Sequence, residues 1–156
     1  MVELARNLKV ECISRLFPTP PRHIGPDQPV ADAVELMREH EIGCLLVCKD
    51  GKLVGVFTER DLMRRVLAAG LPLTSPVSAC MTADPVVVDE KESIRAAVRR
   101  MEEGGYRHLP VIDETGKPVG VLSVKRIVHS LVEHFPGTIY NMPPEAGTVP
   151  HEAEGA

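Results

Sequence analysis

The sequence predicts a mixed α/β (α+β) fold built twice in one chain, as two strand–helix–strand–strand–helix units packed through their sheets. Three observations predict it. The stretch Gly55-Val56-Phe57-Thr58-Glu59-Arg60-Asp61 returns as Gly120-Val121-Leu122-Ser123-Val124-Lys125-Arg126. The apolar stripe Val30, Ala33, Val34, Met37 returns 64 residues later as Ile94, Ala97, Val98, Met101. The offset then becomes 65 because one residue is inserted in a turn, Asp113-Glu114-Thr115-Gly116-Lys117. Preserved periodicity, with the one length change in a turn, is what a duplicated unit predicts.

Taken in order, Leu4 and Leu8 suggest a short leading helix within a lead segment over 1–9. The first repeat is placed over 10–70. Ile13 to Phe17 reads as a helical turn stopped by Pro18, Pro20 and Pro21. Arg22 to Ile24 is a brief extended stretch. Pro29 is expected to open a helix at its first position, and Gly43 to end it. Cys44 to Cys48 reads as a buried strand and Leu53 to Phe57 as its return. Between them, Lys49-Asp50-Gly51-Lys52 has the Asp-Gly chemistry of a hairpin turn. Thr58 to Ala69 is a helix with Leu62, Val66 and Ala69 inward, closed by Gly70.

Residues 71–76 form a linker, and the second repeat, 77–135, copies the first. Val77 to Met81 matches Ile13 to Phe17, Val86 to Val88 matches Arg22 to Ile24, and Tyr106 matches Ile42. Each half is too small to fold well alone, so the two are expected to share a core. Residues 136–156, rich in Pro and Gly, read as a tail without its own core, carrying an apolar island of Ile139, Tyr140 and Met142.

Composition narrows the function. The 156 residues are 44% apolar and 26% charged, ordinary for a globular protein. Aromatics are only 3% and Trp is absent, so a base-stacking platform for single strands is excluded. A net charge of −4 argues against a surface that tracks nucleic-acid phosphates. No apolar run has the length of a membrane span, and the charged, interrupted Met1–Val10 stretch does not read as a signal peptide. A cytoplasmic protein is expected, with no nucleic-acid or membrane partner. The four cysteines (Cys12, Cys44, Cys48, Cys80) are too scattered for a disulfide framework and read as buried thiols rather than metal ligands. His129 and His134 do not share a helix face, and His23, His40 and His151 lack partners at ligand spacing. No glycine-rich phosphate loop, nucleophile elbow or paired-carboxylate signature is present. No metal site, no catalytic residue and no required cofactor are expected, so the protein does not read as an enzyme.

The repeated stretches Gly55 to Asp61 and His108-Leu109-Pro110-Val111-Ile112-Asp113, with the helix stripes at their distances, resemble the CBS domain family. The resemblance runs from Val10 to Phe135 and covers both repeats, so the chain looks like a stand-alone tandem pair, or Bateman module. It implies two repeats related by a pseudo-twofold, a homodimer, and clefts for adenosine-containing ligands such as AMP, ADP, ATP or S-adenosylmethionine. It further implies that the hydroxyl of Thr58 contacts phosphate and that the acid of Asp61 takes the ribose hydroxyls.

Physical chemistry supports those roles. A helix N-terminus presents free N–H groups and partial positive charge, which stabilise an anion there. A carboxylate only accepts hydrogen bonds, which suits a diol. Yet Thr-x-x-Asp at a helix start is also close to a capping box, which needs no ligand. The two readings are compatible. In the second copy Ser123 keeps the hydroxyl but Arg126 cannot accept from a ribose. That cleft is therefore expected to be empty or changed toward a more anionic ligand, unless Arg126 is a plain surface charge. By the resemblance, Arg107 or His108 reaches the phosphates of a nucleotide held on Asp61. The base would lie against Thr19, Pro20 and Pro21 with Ile42, Gly43 and Cys44, where Gly43 leaves room for a flat ring. The equivalents in the second copy are Thr82, Ala83, Tyr106, Arg107 and His108. The expected function is regulatory sensing of an adenine nucleotide, acting on an unidentified protein partner. The alternative is a structural dimerisation module without a nucleotide.

Overall fold

The computed structural model describes residues 11–136; the expected leading helix and the apolar island of the tail lie outside them. The chain begins with a 3₁₀ turn, Ile13–Leu16, followed by strand β1 (His23–Ile24), helix α1 (Val30–Glu39), and strands β2 (Cys44–Lys49) and β3 (Lys52–Thr58). Helix α2 opens as α-helix over Glu59–Asp61 and continues as π-helix over Leu62–Leu67. A second 3₁₀ turn, Val77–Ala79, leads to β4 (Thr82–Ala83), β5 (Val88–Asp89), α3 (Ile94–Gly104), β6 (His108–Ile112), β7 (Pro118–Ser123) and α4 (Val124–His134). The fold is α+β, as expected.

Local chemistry accounts for the boundaries. Asp50 and Gly51 both take positive φ, 50° and 77°, which is what a two-residue hairpin turn needs. Pro29 stands one position before α1 rather than in its first turn. The helix also ends before Gly43: its last residue is Glu39, and Glu41 takes the left-handed conformation at φ 51°. The first N–H groups of α1 are capped by the linker, with Val30 donating to the Ser75 carbonyl and Ala31 to that of Leu73, both at 2.9 Å. The linker thus supplies acceptors that no side chain provides.

Two sheets form, one ordered β1-β2-β3-β4 and the other β5-β6-β7. In the first, β2 and β3 pair antiparallel, placing Cys44 opposite Thr58 and Leu46 opposite Val56. In the second, β6 and β7 place His108 opposite Ser123 and Pro110 opposite Val121. The sheets meet through a small apolar cluster in which Cys44, Leu46 and Val56 pack with Val121.

The principal cores are reciprocal. Ile13 and Leu16, from the start of the chain, are buried with Val88, Ile94, Leu109 and Leu122 of the second repeat. Val77 and Cys80 are buried with Ile24, Val30, Leu45 and Phe57 of the first. Each repeat's leading turn therefore completes its neighbour's core. Backbone bonds fix the exchange: Ile13 N donates to Glu92 O and Ile94 N to Glu11 O, while Val77 N donates to Gln28 O. The incoming segments then join the sheet edges. Thr82 pairs with Val56 and Ala83 with Gly55, and Thr19 exchanges two backbone bonds with Val121. A Cβ at Gly55 would lie 2.5 Å from Met81 Sδ, and one at Gly120 2.7 Å from Pro18 Cβ. The glycine that opens both copies of the repeated stretch is thus the residue that lets the exchanged segment approach.

Ile13 is fully buried in a core built mostly of residues some 75 or more positions away. Ile13→Ala is expected to lower unfolding stability by about 2–5 kcal/mol, the usual cost of truncating a packed aliphatic. Ser14→Ala, at an exposed neighbour, is expected to stay within about 0.5 kcal/mol. Urea unfolding of both variants checks this.

Candidate functional site

The site is assembled where β3 runs into α2. Thr58 is the N-cap, extended at φ −123°, and its hydroxyl accepts from Asp61 N. Asp61 Oδ2 in turn accepts from Thr58 N at 3.0 Å and from Thr58 Oγ1 at 2.7 Å. The full capping box is present. It uses one carboxylate oxygen. Oδ1 has only longer contacts, Arg65 Nε at 3.4 Å and Thr82 Oγ1 at 3.5 Å. Asp61 is 7% exposed, the one buried charged side chain among the described residues. The two readings of this motif therefore fall on different oxygens: Oδ2 serves the cap, and Oδ1 retains accepting capacity.

The helix N-terminus itself is less open to an anion than the sequence suggests. Glu59 N donates to Gly43 O at 3.2 Å, and Asp61 N is bound by Thr58. Positive charge comes instead from side chains. Arg60 reaches across to the Gly105 carbonyl of the second repeat at 3.0 Å. The space in front of Gly43 is shared by two side-chain ends. A Cβ there would meet Glu59 Oε2 at 3.0 Å and His108 Cε1 at 3.6 Å, so an acid from the first repeat and an imidazole from the second share that space.

Burial sets the titration of the neighbours. The Cys44 thiol, opposite Thr58, is pushed up to about 12, first by burial and then by the Asp61 charge. It is a protonated, unreactive packing group at neutral pH. His108 is held below the ordinary histidine value, chiefly by burial; Glu59 pulls it upward, while Arg107 and Arg60 push it down.

The sequence-predicted residues divide into groups. Thr58, Asp61, Cys44 and Thr82 come together, with Gly43 and His108 meeting across the repeats. Arg107 is exposed, and its carbonyl accepts from Val124 N. Ile42 packs against the first core and lines an open groove of about 390 Å³ with Met37 and Leu62. Thr19 is paired with Val121 of the second copy, and Thr82 lies beside Asp61. Ser123 caps α4 by accepting from Arg126 N at 3.1 Å. Arg126 is no plain surface charge. Its Nε donates to Leu16 O and Phe17 O at 2.9 and 3.1 Å, and its Nη2 to Phe17 O at 2.9 Å. A second groove, about 220 Å³, lies beside it, lined by Arg15, Phe17 and His129.

Sequence reasoning missed Arg65, Glu59 and Met81. The signal for Arg65 was in the comparison of the repeats: the Asp61/Arg65 pair is replaced by Arg126/Ser130.

The CBS domain family model matches residues 13–68 and again 77–133. The chain belongs to the CBS domain family. Among relatives, it is 32% identical over 122 residues to an uncharacterized 17.7 kDa protein of Acidianus ambivalens, a match covering 78% of this chain and 73% of that one. It is 35% identical over 113 residues to hypoxic response protein 1 of Mycobacterium tuberculosis, covering 71% and 78%. Other relatives are far longer: the match to the Arabidopsis thaliana protein CBSCBSPB3, 30% identical, spans 76% of this chain but 22% of that one. Among solved structures, the CBS domain NE2398 superposes with a TM-score of 0.72 at 35% identity, covering 78% of this chain and 98% of the other. CBSX2 in complex with AMP superposes at 0.68 and 29% identity, covering 79% and 97%.

The lowered His108 value carries a sign. The unfolded chain, with a histidine near 6.5, binds the proton more readily than the folded one. Stability is therefore lost as pH falls through about 6.5 toward the lower folded value, and levels off below it. His108→Gln is expected to flatten the melting temperature across pH 7.5 to 5 relative to wild type. An unchanged slope assigns the acid sensitivity to other groups.

Proposed function

We propose that this CBS pair is a regulatory module that binds one adenosine-containing ligand, with AMP the first choice, at the half-site of Thr58 and Asp61. One observation carries the reading. Asp61 is a buried carboxylate whose Oδ2 is saturated by the cap while Oδ1 is left with two long contacts. A buried acceptor of that kind matches a ribose diol, which offers two O–H donors. The AMP complex of CBSX2 supports the choice of ligand.

The phosphate falls on the Thr58 side, away from the carboxylate. Two of the first three helix N–H groups are engaged, so charge compensation is assigned to Arg107 and Arg60, with His108 as a neutral donor. Arg107 belongs to the second repeat, and one ligand would thus bridge both. The second copy has a guanidinium where the first has the carboxylate, and its Nε and Nη2 are engaged by Leu16 and Phe17 carbonyls. It offers a ribose no acceptor. No catalytic role is assigned. Binding acts on a partner only if the ligand prefers one arrangement of the module.

Thermal shift with AMP, ADP, ATP and S-adenosylmethionine, on wild type, Asp61→Ala and Arg107→Ala, tests the reading. Ligand at 100 times its dissociation constant adds about 2.7 kcal/mol, or roughly 5–10 °C for a domain of this size. The shift is expected to vanish in Asp61→Ala and to shrink for the phosphorylated ligands in Arg107→Ala. No shift in wild type at millimolar ligand would leave the structural module as the better reading.

A further inference from the structure

Each repeat carries an arginine on its last helix that binds the carbonyls at the end of the exchanged turn, but the two are wired differently. In the second repeat Arg126 pairs with no carboxylate among the described residues, and its Nε and Nη2 make three bonds of 2.9–3.1 Å to Leu16 and Phe17. In the first, Arg65 sits one helical turn beyond Asp61. Its Nη1 donates to the Met81 carbonyl, with a longer contact of 3.4 Å to that of Cys80. Its Nε is turned instead toward Asp61 Oδ1 at 3.4 Å. The same Oδ1 receives Thr82 Oγ1, from the residue that follows Met81.

We infer that Asp61 restrains Arg65, and that any group taking up Asp61 Oδ1 releases Arg65 to clamp the Cys80–Met81 carbonyls as Arg126 clamps its own turn. The inference rests on the proposed ligand site for its biological occupant, but the restraint itself does not. The internal comparison carries it. An arginine with no carboxylate to answer commits Nε to the turn, whereas one beside Asp61 divides its donors. A ribose diol on Oδ1 takes the accepting capacity that now holds Nε. The segment that tightens, Cys80 to Ala83, is both the plug of the first core and the outer strand of its sheet. Arg65 is thus a positioning residue. It converts occupancy of a buried acid into the firmness of the connection between the repeats, while the second repeat, with its clamp always closed, is the fixed half.

Hydrogen exchange of the segment 80–84 tests this in four proteins: wild type, Asp61→Asn, Arg65→Gln and the double variant, each with and without AMP. Asp61→Asn is expected to slow exchange there about fivefold without ligand, the worth of one further hydrogen bond. General destabilisation by loss of the cap would speed it, so the direction is diagnostic. The slowing is expected to disappear when Arg65→Gln is added. AMP is expected to slow exchange in wild type and not in Arg65→Gln, although Arg65→Gln still binds it by thermal shift. Exchange that is unchanged or faster in Asp61→Asn, or slowing by AMP that persists in Arg65→Gln, would overturn the inference. If AMP binds no variant while Asp61→Asn still slows exchange through Arg65, the nucleotide reading fails and the restraint stands.

Discussion

The structure depends on the exchange of leading turns between the repeats. Each repeat lacks a wall of its own core, and the other supplies it: Ile13 and Leu16 close the second core, Val77 and Cys80 the first. Fully burying one such aliphatic contributes about 1.5–3 kcal/mol, and neither half keeps that contribution without the other. The pairing of the two halves therefore contributes directly to the stability of both cores. It also determines which residues can meet. Because Val77–Ala79 plugs the first core, the chain that follows it must run along β3, which delivers Thr82 to Asp61.

That delivery makes the half-sites unequal. Both copies present a hydroxyl-capped helix behind a glycine that admits the exchanged strand. Only the first places a carboxylate at the third helical position, and only there do cap, strand and arginine converge on one side chain. A buried carboxylate is costly unless its lone pairs are met. Asp61 meets that cost on Oδ2 with two short bonds and on Oδ1 with two long ones, so its satisfaction is complete on one oxygen and provisional on the other. In the second copy the arginine occupies the carboxylate's position, and the carbonyls of Leu16 and Phe17 take up its donors.

Most of the fold was legible because it is written in periodicity. The stripes of α1 and α3, the Asp50-Gly51 turn and the strand runs are local signals, and repetition at a constant offset makes each copy a check on the other. The exchange was not legible. Ile13–Phe17 and Val77–Met81 match each other whether each packs on its own repeat or on its neighbour. No pattern in the residues tells the two arrangements apart. The π-helical course of Leu62–Leu67 was hidden for a similar reason, since its apolar spacing suits an ordinary helix equally well. Thr58 and Asp61 were legible as a pair, but their division of labour by oxygen atom is a matter of distances. Arg65 left a trace only in the contrast between Asp61/Arg65 and Arg126/Ser130, a difference between copies and not a motif within one.

The central claim is that one half-site accepts a ribose and the other does not. Its most direct measurement is the stoichiometry of AMP binding to the intact chain by isothermal titration calorimetry. The account predicts one AMP per chain. Two per chain would contradict it, because a second ribose would have to be held without a carboxylate at the position of Arg126.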